Sequence, residues 1–290
     1  MSKSTLCFGE VLWDTFGDGK KVGGAPLNVA QHLIQQGTNA FIVSSIGTDE
    51  SGIELEQELQ KADLQLQYLQ HDRRLPTCEV TVKLDEGGHA TYIIPEPVSW
   101  DNIKPTEELL QQVAQTDAIV FGSLACREEV TRATLLNILS DFTIPIRVFD
   151  VNLRAPHYEL DTIETLAALA NVIKMNEDEA NLLIHGNSGS LQDKIMEFHG
   201  KFHTHTICVT RGENGAIIWH DGEFYEHAGV NVKVADTVGA GDSFLATLIA
   251  GLLNEQPIPQ ILDKACKVGA FVASQRGANP TYPSDLLQVN

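Results

Sequence analysis

The sequence has few cysteines, and they follow no paired spacing. Five cysteines, at positions 7, 78, 126, 208 and 266, are scattered through the 290 residues, and no C-x-x-C occurs. An odd and scattered set is neither a disulfide framework nor a zinc ribbon. We therefore expect reduced thiols, and those in apolar runs such as residues 206–209 are expected to be small core residues.

Long hydrophobic runs are also missing. The sequence contains no stretch of about 18 apolar residues, the length that a membrane-spanning helix needs. Residues 1–8 contain neither a long apolar segment nor a cleavage site. The sequence therefore predicts a cytoplasmic protein with no membrane association.

Positive charge is scarce relative to negative charge. The chain has 20 Lys and Arg residues against 39 Asp and Glu residues, a net charge of −19. A field of this sign repels nucleic acid and anionic lipid, so we expect no nucleic-acid partner. It also opposes an anionic substrate, so any phosphate site has to be built locally. An acidic, soluble surface accounts for the charge without a special function.

Short apolar runs alternate with amphipathic stretches along most of the chain. Strand-like runs occupy residues 6–8, 40–46, 118–121, 146–149, 172–175 and 207–209, and a hairpin-like pair occupies 215–219 and 223–226. Helix-like segments occupy residues 27–36, 49–62, 106–115, 128–140, 161–170 and 177–184, and two more begin near 242 and 258. This alternation predicts an α/β fold with a mainly parallel central sheet and helices on both faces. We expect one domain over residues 1–290.

Two segments interrupt the alternation. Residues 78–84 alternate with period two, and residues 90–94 follow a turn at 86–88, which predicts an antiparallel hairpin. Residues 11–24 are Gly-rich and polar. Together, segments at about 11–24 and 76–98 predict a small β-lid over one edge of the main sheet. A hairpin that only decorates the fold is the alternative.

The strongest chemical signal is D-T-V-G-A-G-D-S-F at residues 236–244, between a strand-like run at 230–234 and an apolar helix at 243–253. Glycines at 239 and 241 let the backbone turn with N–H groups facing outward, and the helix adds its positive N-terminal end. This predicts an anion site for a phosphoryl group. Asp242 lies at the mouth of that site, where a carboxylate suits a base accepting a hydroxyl proton. Because the helix end favours the ionised form, we expect a weak base that takes the proton late.

Two other interpretations of this segment are open at this point. A G-x-G before a helix also occurs in dinucleotide-binding folds, but Phe244 stands where the third glycine would be. The segment also lies near the C-terminus rather than after the first strand. A plain strand-to-helix turn with an aspartate cap is the second alternative.

The same segment matches the C-terminal signature of the ribokinase/PfkB family of carbohydrate kinases. Three further motifs resemble that family in its own order: G-G-A-P-L-N-V-A at 23–30, N-E-D-E at 176–179 and T-R-G-E-N-G at 210–215. One such motif is weak evidence, whereas four in register over most of the chain are strong. The resemblance implies a ribokinase-like three-layer fold. It also implies transfer of the γ-phosphoryl group of ATP to a sugar hydroxyl.

The resemblance implies roles for the residues of the glycine segment. Asp242 would be the catalytic base. The backbone N–H groups of Gly239, Ala240 and Gly241 would bind the transferring phosphoryl group, whose charge is the main feature to stabilise.

The resemblance also implies a nucleotide and metal site. Asn176 and Glu179 would hold Mg²⁺ through water, since this ion keeps most of its hydration shell. Thr210, Gly212 and Gly215, with Asn176, would contact ATP. The alternatives are a solvated helix carboxylate for Glu179 and a tight hairpin turn for residues 210–215.

For the sugar, the resemblance implies Asp14, Gly24 and Asn28, with Arg154 of a D-x-N-x-R motif at 150–154 binding substrate or phosphate. A carboxylate accepts hydrogen bonds from hydroxyl groups, and an amide can both donate and accept. An ordinary helix cap is the alternative for Asn28.

Several segments resemble bacterial fructokinases more than ribokinases, which favours fructose as the acceptor. They are G-E-V-L-W-D at 9–14, G-G-A-P at 23–26, P-V-S-W-D at 97–101 and G-A-N-P at 277–280. Two departures leave the sugar open: R-A-P-H-Y replaces R-x-x-L-W at 154–158, and no proline precedes Gly277. The alternatives are a kinase for ribose, a keto-sugar acid or a nucleoside, a non-catalytic sugar or nucleotide sensor, and a Rossmann dehydrogenase.

Two further expectations remain, of which the first follows from the resemblance. Family members often bind K⁺ beside the anion site, and Asp236 and Val238, the latter through its backbone carbonyl, occupy the matching positions. An exposed β-lid often pairs with another copy, so a homodimer through the lid is expected.

Overall fold

A nine-stranded sheet forms the centre of the molecule. The computed structural model describes residues 3–17, 19–62, 64–84, 90–184 and 189–287. Across the sheet the strands follow the order β13-β12-β11-β10-β9-β8-β1-β4-β5. In chain order they are β1 (Ser4–Phe8), β4 (Asn39–Gly47), β5 (Gln65–Asp72), β8 (Ala118–Gly122), β9 (Ile146–Asp150), β10 (Val172–Asn176), β11 (Thr206–Thr210), β12 (Ala216–His220) and β13 (Glu223–His227). All neighbours from β11 to β5 are parallel, and β12 and β13 pair in antiparallel fashion at one edge.

Helices cover both faces of this sheet. They are α1 (Ala25–Gln35), α2 (Glu50–Lys61), α3 (Glu107–Val113), α4 (Glu129–Asp141), α5 (Leu160–Leu169), α6 (Glu177–Leu183), α7 (Leu191–Phe202), α8 (Ala240–Leu253) and α9 (Ile258–Ala273). Helices α1, α2, α8 and α9 pack in one hydrophobic cluster, and α3 to α7 in the other. Successive side chains of a strand point to opposite faces of the sheet, so Leu6 and Phe8 of β1 belong to one cluster and Cys7 to the other. The predicted three-layer α/β fold is confirmed.

A second sheet of four strands lies beyond the carboxyl ends of β1 and β5. It contains β2 (Leu12–Phe16), β3 (Gly19–Gly23), β6 (Glu79–Leu84) and β7 (Ala90–Ile93), in the order β3-β2-β6-β7. Strands β6 and β7 form the expected antiparallel pair, and β2 pairs in parallel with β6. The turn expected at residues 86–88 lies outside the described residues.

Local sequence signals placed most helix ends correctly. Asp49 caps α2 by accepting a hydrogen bond from the Gly52 N–H group at 2.8 Å. Gly37 follows α1 with φ of 78°, in the left-handed region that favours glycine. No helix among the described residues is long and apolar enough to cross a membrane.

One expectation about the glycine segment was wrong. Residues 230–234 form no strand. Their valines instead border a cleft beside α8 and α9, and Val234 is 57% exposed. The valines of this pattern therefore border a cavity and pair with no strand. Strand β5 and helix α7 were not predicted.

Candidate active site

The glycine segment forms a tight turn at the start of α8. Gly239 caps the helix with φ of 79°, and the backbone carbonyl of Ala278 lies so close that a Cβ atom at position 239 would collide with it. Only glycine fits both restrictions. The Ala240 N–H group donates to the Thr237 carbonyl at 3.3 Å. The next N–H groups of the first helical turn lack acceptors within the helix, as at any helix start, which suits an anion.

Asp242 lies in the first turn of α8, partly buried. Burial raises its pKa to about 6, and the Asp150 carboxylate adds to this effect. Lys174, Asn28 and Arg154 act in the opposite direction. The expectation that the helix end sets the proton affinity of Asp242 was therefore incomplete, because burial outweighs it. A carboxylate with this pKa is ionised at neutral pH and accepts a proton more readily than an exposed aspartate.

Asn28, in the first turn of α1, contacts Asp242 directly. Its Nδ2 atom donates to Oδ2 of Asp242 at 2.7 Å, and its Oδ1 atom accepts from Nδ2 of Asn279 at 2.8 Å. The alternative of a helix cap is not what the structure shows, because Gly24 occupies the cap position of α1. One N–H bond of the Asn28 amide remains to face the neighbouring cleft.

Lys174 is a buried cation in the floor of the site. Its side chain leaves β10 opposite Asp150 of β9, and the two form an ion pair at 3.0 Å. Burial acts to lower the pKa of Lys174, but the carboxylates of Asp150, Asp242 and Glu179 outweigh it and hold the pKa above its usual value. A Cβ atom added at Gly241 would lie 3.3 Å from Nζ of Lys174. The ammonium group therefore lies directly beside the glycine turn.

Asn176 and Glu179 form a capping box at the start of α6. The Asn176 side chain accepts from the Glu179 N–H group, and Oε2 of Glu179 accepts from the Asn176 N–H group, both at 2.8 Å. Oε1 of Glu179 accepts from the Leu153 N–H group at 2.9 Å. Glu179 is only 7% exposed, which excludes the alternative of a solvated carboxylate, and burial raises its pKa.

The larger of two clefts has a volume of about 730 Å³. It brings together Thr210, Gly212, Gly215 and Asn176, the four residues expected to contact ATP. Its other walls come from α8, α9 and the segment 228–234. They are lined by Ala240, Gly241, Phe244, Cys266, Gly269, Ala270, Val230 and Val232, among others. Apolar walls with a polar end suit a flat ring that carries a charged tail.

The smaller cleft, of about 320 Å³, brings together the four residues expected to bind sugar. Asp14, Gly24, Asn28 and Arg154 line it, with Asp242 and Gly239 at one end. Val80, Tyr92 and Ile94, from the second sheet and the residue that follows it, line the other side. Gly241 and Thr237 border both clefts. The glycine turn therefore separates the two cavities and is open to each.

Charged side chains set the electrostatics of the smaller cleft. Burial raises the pKa of Asp14 to about 6, although the Arg154 guanidinium acts to lower it. Burial raises the pKa of Glu10 to about 7, and its Oε2 atom is buried without a partner among the described residues. Arg154 donates to its neighbour's carbonyl, Leu153 O, at 3.1 Å and forms no ion pair within the described part of the chain.

Asp236 organises the loop that precedes the glycine turn. Its Oδ1 atom accepts from the Val238 N–H group and its Oδ2 atom from the Gly277 N–H group, both at 3.1 Å. Asp236 and Glu179 are the two predicted site residues that line neither cleft. Val238 lines the smaller cleft. No cluster of three or more metal-ligating side chains occurs within the described ranges.

Sequence reasoning missed Lys174 and Glu10, although both left a signal. Lys174 interrupts the apolar run V-I-K-M at 172–175, and a charged residue in a strand buried on both faces needs a partner. Glu10 follows the first strand and directly precedes two buried residues, Val11 and Leu12. Tyr92 carried no comparable signal, because its place in the cleft depends on how the second sheet lies over the first.

Comparisons with known proteins agree with this architecture. The family model described as pfkB family carbohydrate kinase matches residues 3–285. Fructokinase from Escherichia coli is 25% identical over 98% of this chain and 97% of its own. The structure of an uncharacterised sugar kinase from Pyrococcus horikoshii in complex with ATP has a TM-score of 0.77 and 25% identity, over 95% of this chain and 93% of that one.

A further solved structure resembles this chain in fold. Aminoimidazole riboside kinase from Salmonella enterica, complexed with aminoimidazole riboside and an ATP analogue, has a TM-score of 0.83 and 22% identity over 98% of each chain. With a family model matched from residue 3 to residue 285, this chain belongs to the pfkB family of carbohydrate kinases and is a sugar kinase, a phosphotransferase.

Proposed function

We propose that this protein transfers the γ-phosphoryl group of MgATP to a hydroxyl group of a sugar, with fructose as the favoured acceptor. One observation carries the proposal: the glycine turn borders both clefts, and Asp242 extends from it into the smaller one. A donor in the larger cleft and an acceptor in the smaller one would meet at the turn. The sequence similarity to fructokinases supports fructose.

The larger cleft fits ATP, and buried carboxylates beside the glycine turn fit a hydrated magnesium ion. Oδ2 of Asp150 is buried without a partner among the described residues, and it lies near the carboxylates of Asp242 and Glu179. Such a group suits a cation held through water, since magnesium keeps several of its waters and binds few side chains directly. When bound, the ion would neutralise charge on the phosphates. We propose Glu179 and Asn176 as its outer partners.

In this mechanism, Asp242 orients the acceptor hydroxyl and takes its proton. The N–H groups of Gly239 and Gly241 bind the phosphoryl oxygens, whose charge has to be stabilised as the group transfers. The Ala240 N–H group, also expected to bind there, would have to give up its hydrogen bond to the Thr237 carbonyl to do so. Lys174, beside Gly241, adds a buried positive charge at the same point. The second sheet acts as a lid, because Asp14 and Tyr92 on it face Asp242 across the smaller cleft and would exclude water.

Arg154 favours a second candidate acceptor, a keto-sugar acid. A guanidinium without an ion pair among the described residues lies in the smaller cleft, where a substrate carboxylate would pair with it. Two carboxyl groups, Asp14 and Glu10, lie nearby and offset its charge. A neutral sugar would use the same three groups as hydrogen-bond partners.

A screen of acceptors coupled to ADP release tests the proposal. Fructose, ribose, a nucleoside and a keto-sugar acid are compared at equal concentrations, with native protein and Arg154→Met. We expect fructose to give the highest kcat/KM and Arg154→Met to reduce it about tenfold through KM. If the keto-sugar acid is preferred and Arg154→Met abolishes its use, the acceptor assignment is wrong and the kinase assignment stands. If none of the four acceptors stimulates ADP release, both the acceptor assignment and the proposed transfer to a sugar hydroxyl are contradicted.

Two further expectations remain proposals. Asp236 and the Val238 carbonyl are proposed to bind K⁺ beside the turn, and replacing K⁺ by tetramethylammonium is expected to slow turnover.

Tyr92 and Ile93 of the second sheet are 45% and 47% exposed, which supports a homodimer through this sheet. Light scattering after gel filtration measures the mass directly.

A further inference from the structure

The segment at residues 277–282, which follows α9, packs against α1 and the glycine turn. Nε2 of His32 lies 3.0 Å from the Ala278 carbonyl oxygen. Gln35 holds the same segment twice, donating to the Pro280 carbonyl at 3.2 Å and accepting from the Tyr282 N–H group at 2.9 Å. The Ala278 carbonyl also closes over Gly239. The segment is therefore fixed to two elements of the candidate site.

The anchor at His32 has a defined hydrogen-bond direction. His32 is fully buried, and burial lowers its pKa to about 4, so the ring is neutral at working pH. Because a carbonyl oxygen only accepts, Nε2 carries the proton that is donated to Ala278. Nδ1 then accepts from the Tyr282 hydroxyl group at 2.6 Å, and the two rings stack. The pKa of His32 therefore lies below the range in which an ordinary histidine titrates.

From this segment, the Asn279 side chain reaches into the site. Its Nδ2 atom donates to Oδ1 of Asn28 at 2.8 Å, and Nδ2 of Asn28 donates to Oδ2 of Asp242 at 2.7 Å. An ionised carboxylate only accepts, so the NH₂ group of Asn28 has to face Asp242. Its oxygen then faces Asn279, which has to donate. Only this arrangement of donors and acceptors satisfies both hydrogen bonds.

The orientation of the Asn28 amide is thus the property that Asn279 determines. An amide is nearly symmetric in shape, and a half-turn would place its oxygen against the Asp242 carboxylate. Asn28 is 5% exposed, so water has little access to correct the arrangement. Oδ1 of Asn279 is buried without a partner within the described ranges, so its contact with Asn28 is the hydrogen bond that orients its own amide.

We propose that Asn279 is a positioning residue, which acts on Asp242 by fixing the amide of Asn28. The inference rests on the proposed role of Asp242 as the base. Asn279 is not among the residues that line either cleft in the described structure, so it acts through Asn28 rather than on a substrate. Its hydrogen bond also connects the segment after α9 to α1, the helix that carries Asn28.

Charge does not explain the effect of Asn279, because its side chain is neutral. The titratable or charged groups that interact with Asp242 come from other elements. They are Asp150 of β9, Lys174 of β10, Arg154 after β9 and Glu10 after β1. Replacing Asn279 by a neutral residue leaves all four in place. A change in the titration of Asp242 would then report the lost hydrogen-bond chain.

The test is a double-mutant cycle read by a pH profile. Asn279→Ala, Asn28→Ala and the double variant are assayed for kcat/KM with D-fructose, or the best acceptor of the screen, from pH 5 to 9. We expect each single change to lower kcat/KM roughly three- to tenfold and to move the acidic limb to higher pH, because the ionised base loses a donor. The double variant should match Asn28→Ala alone, since Asn279 acts through Asn28.

Two controls separate positioning from packing. Asn279→Leu keeps the branched shape of the side chain without a donor and should behave like Asn279→Ala. Tyr282→Phe removes the hydroxyl contact with His32 and should lower Tm while leaving the acidic limb in place.

Three outcomes separate this inference from the function on which it rests. Independent, additive losses in the cycle, or an acidic limb unmoved in both Asn279 variants, overturn the inference. If Asp242→Asn abolishes turnover while those variants keep the native limb, only the inference fails. If Asp242→Asn retains turnover, the proposed base fails with it.

Discussion

Nζ of Lys174 lies 3.0 Å from Oδ1 of Asp150, across two adjacent parallel strands in which the two residues are register partners. Both side chains are buried, at 9% and 5% exposure, so neither charge is stable without the other. The pair places an ammonium group beside Gly241, where a transferring phosphoryl group would need positive charge.

We expect Lys174→Met to lower kcat about 100-fold, because the site loses a buried charge that favours the transition state. The same change removes a cation that lowers the pKa of Asp242, so the acidic limb of the pH profile should move to higher pH. Steady-state kinetics from pH 5 to 9 measure both effects.

The control for Lys174 separates catalysis from folding. Lys174→Met leaves the Asp150 carboxylate buried and unpaired, which should lower the free energy of unfolding by about 3–5 kcal/mol. The double variant Lys174→Met/Asp150→Asn removes that charge and should recover most of the stability without recovering kcat. Recovery of kcat in the double variant would show that Lys174 matters only for folding.

Asp242→Asn should lower kcat by roughly 10²–10⁴-fold, because the acceptor hydroxyl loses its base. MgATP affinity should change little, since Asp242 borders only the smaller cleft. Measuring kcat beside equilibrium binding of MgATP separates the two properties. Native-like turnover in this variant would exclude Asp242 as the base.

The same substitution should stabilise the fold at alkaline pH. The folded-state pKa of Asp242 is raised from 3.8 to about 6, so its ionised form costs stability above that pH. We expect Asp242→Asn to raise the free energy of unfolding by about 1–2 kcal/mol at pH 8, with the gain vanishing as pH falls below about 4. Denaturation at both pH values measures the difference, and an equal gain at each pH would contradict the assignment.

The affinity for sugar should weaken in acid because of Asp14. Burial raises the pKa of Asp14 to about 6, and only its ionised form is a full hydrogen-bond acceptor. We expect KM for the sugar to rise as pH falls through about 6. Asp14→Asn should raise KM about tenfold at pH 8 and remove this dependence. The matched control is Asp141→Asn, exposed at the end of α4, which should leave KM unchanged.

Gly241→Ala should reduce turnover by crowding the turn. The added Cβ atom would lie 3.3 Å from Nζ of Lys174, so the lysine or the turn has to shift, and we expect kcat to fall about tenfold or more. Gly200→Ala is the matched helical control, because nothing lies within 4 Å of its Cβ position. That variant should keep native kcat and gain about 0.5–1 kcal/mol in stability. An unchanged kcat in Gly241→Ala would argue against close phosphoryl binding at the turn.

Local sequence signals were sufficient for the three-layer fold, and the family resemblance supplied most of the expected site residues, but neither pointed to Glu10, Lys174 or Tyr92 in the smaller cleft. Periodicity, caps and glycine positions depend on neighbours in the chain, so Asp49, Gly37 and Gly239 could be interpreted without a structure. The same local reasoning failed at residues 230–234, where alternating valines line a cavity instead of pairing in a sheet.

The sequence by itself determined that the chain carries a glycine turn followed by Asp242, that acidic residues precede the first helix, and that Asn28 lies near the start of that helix. Tertiary structure decided which groups act on that aspartate. Lys174 and Asp150 become partners because their parallel strands are adjacent, and Asn279 reaches Asn28 from 251 positions away because the last segment folds back onto the first helix. Burial then raises the pKa of Asp242, a consequence of packing that spacing along the chain does not contain.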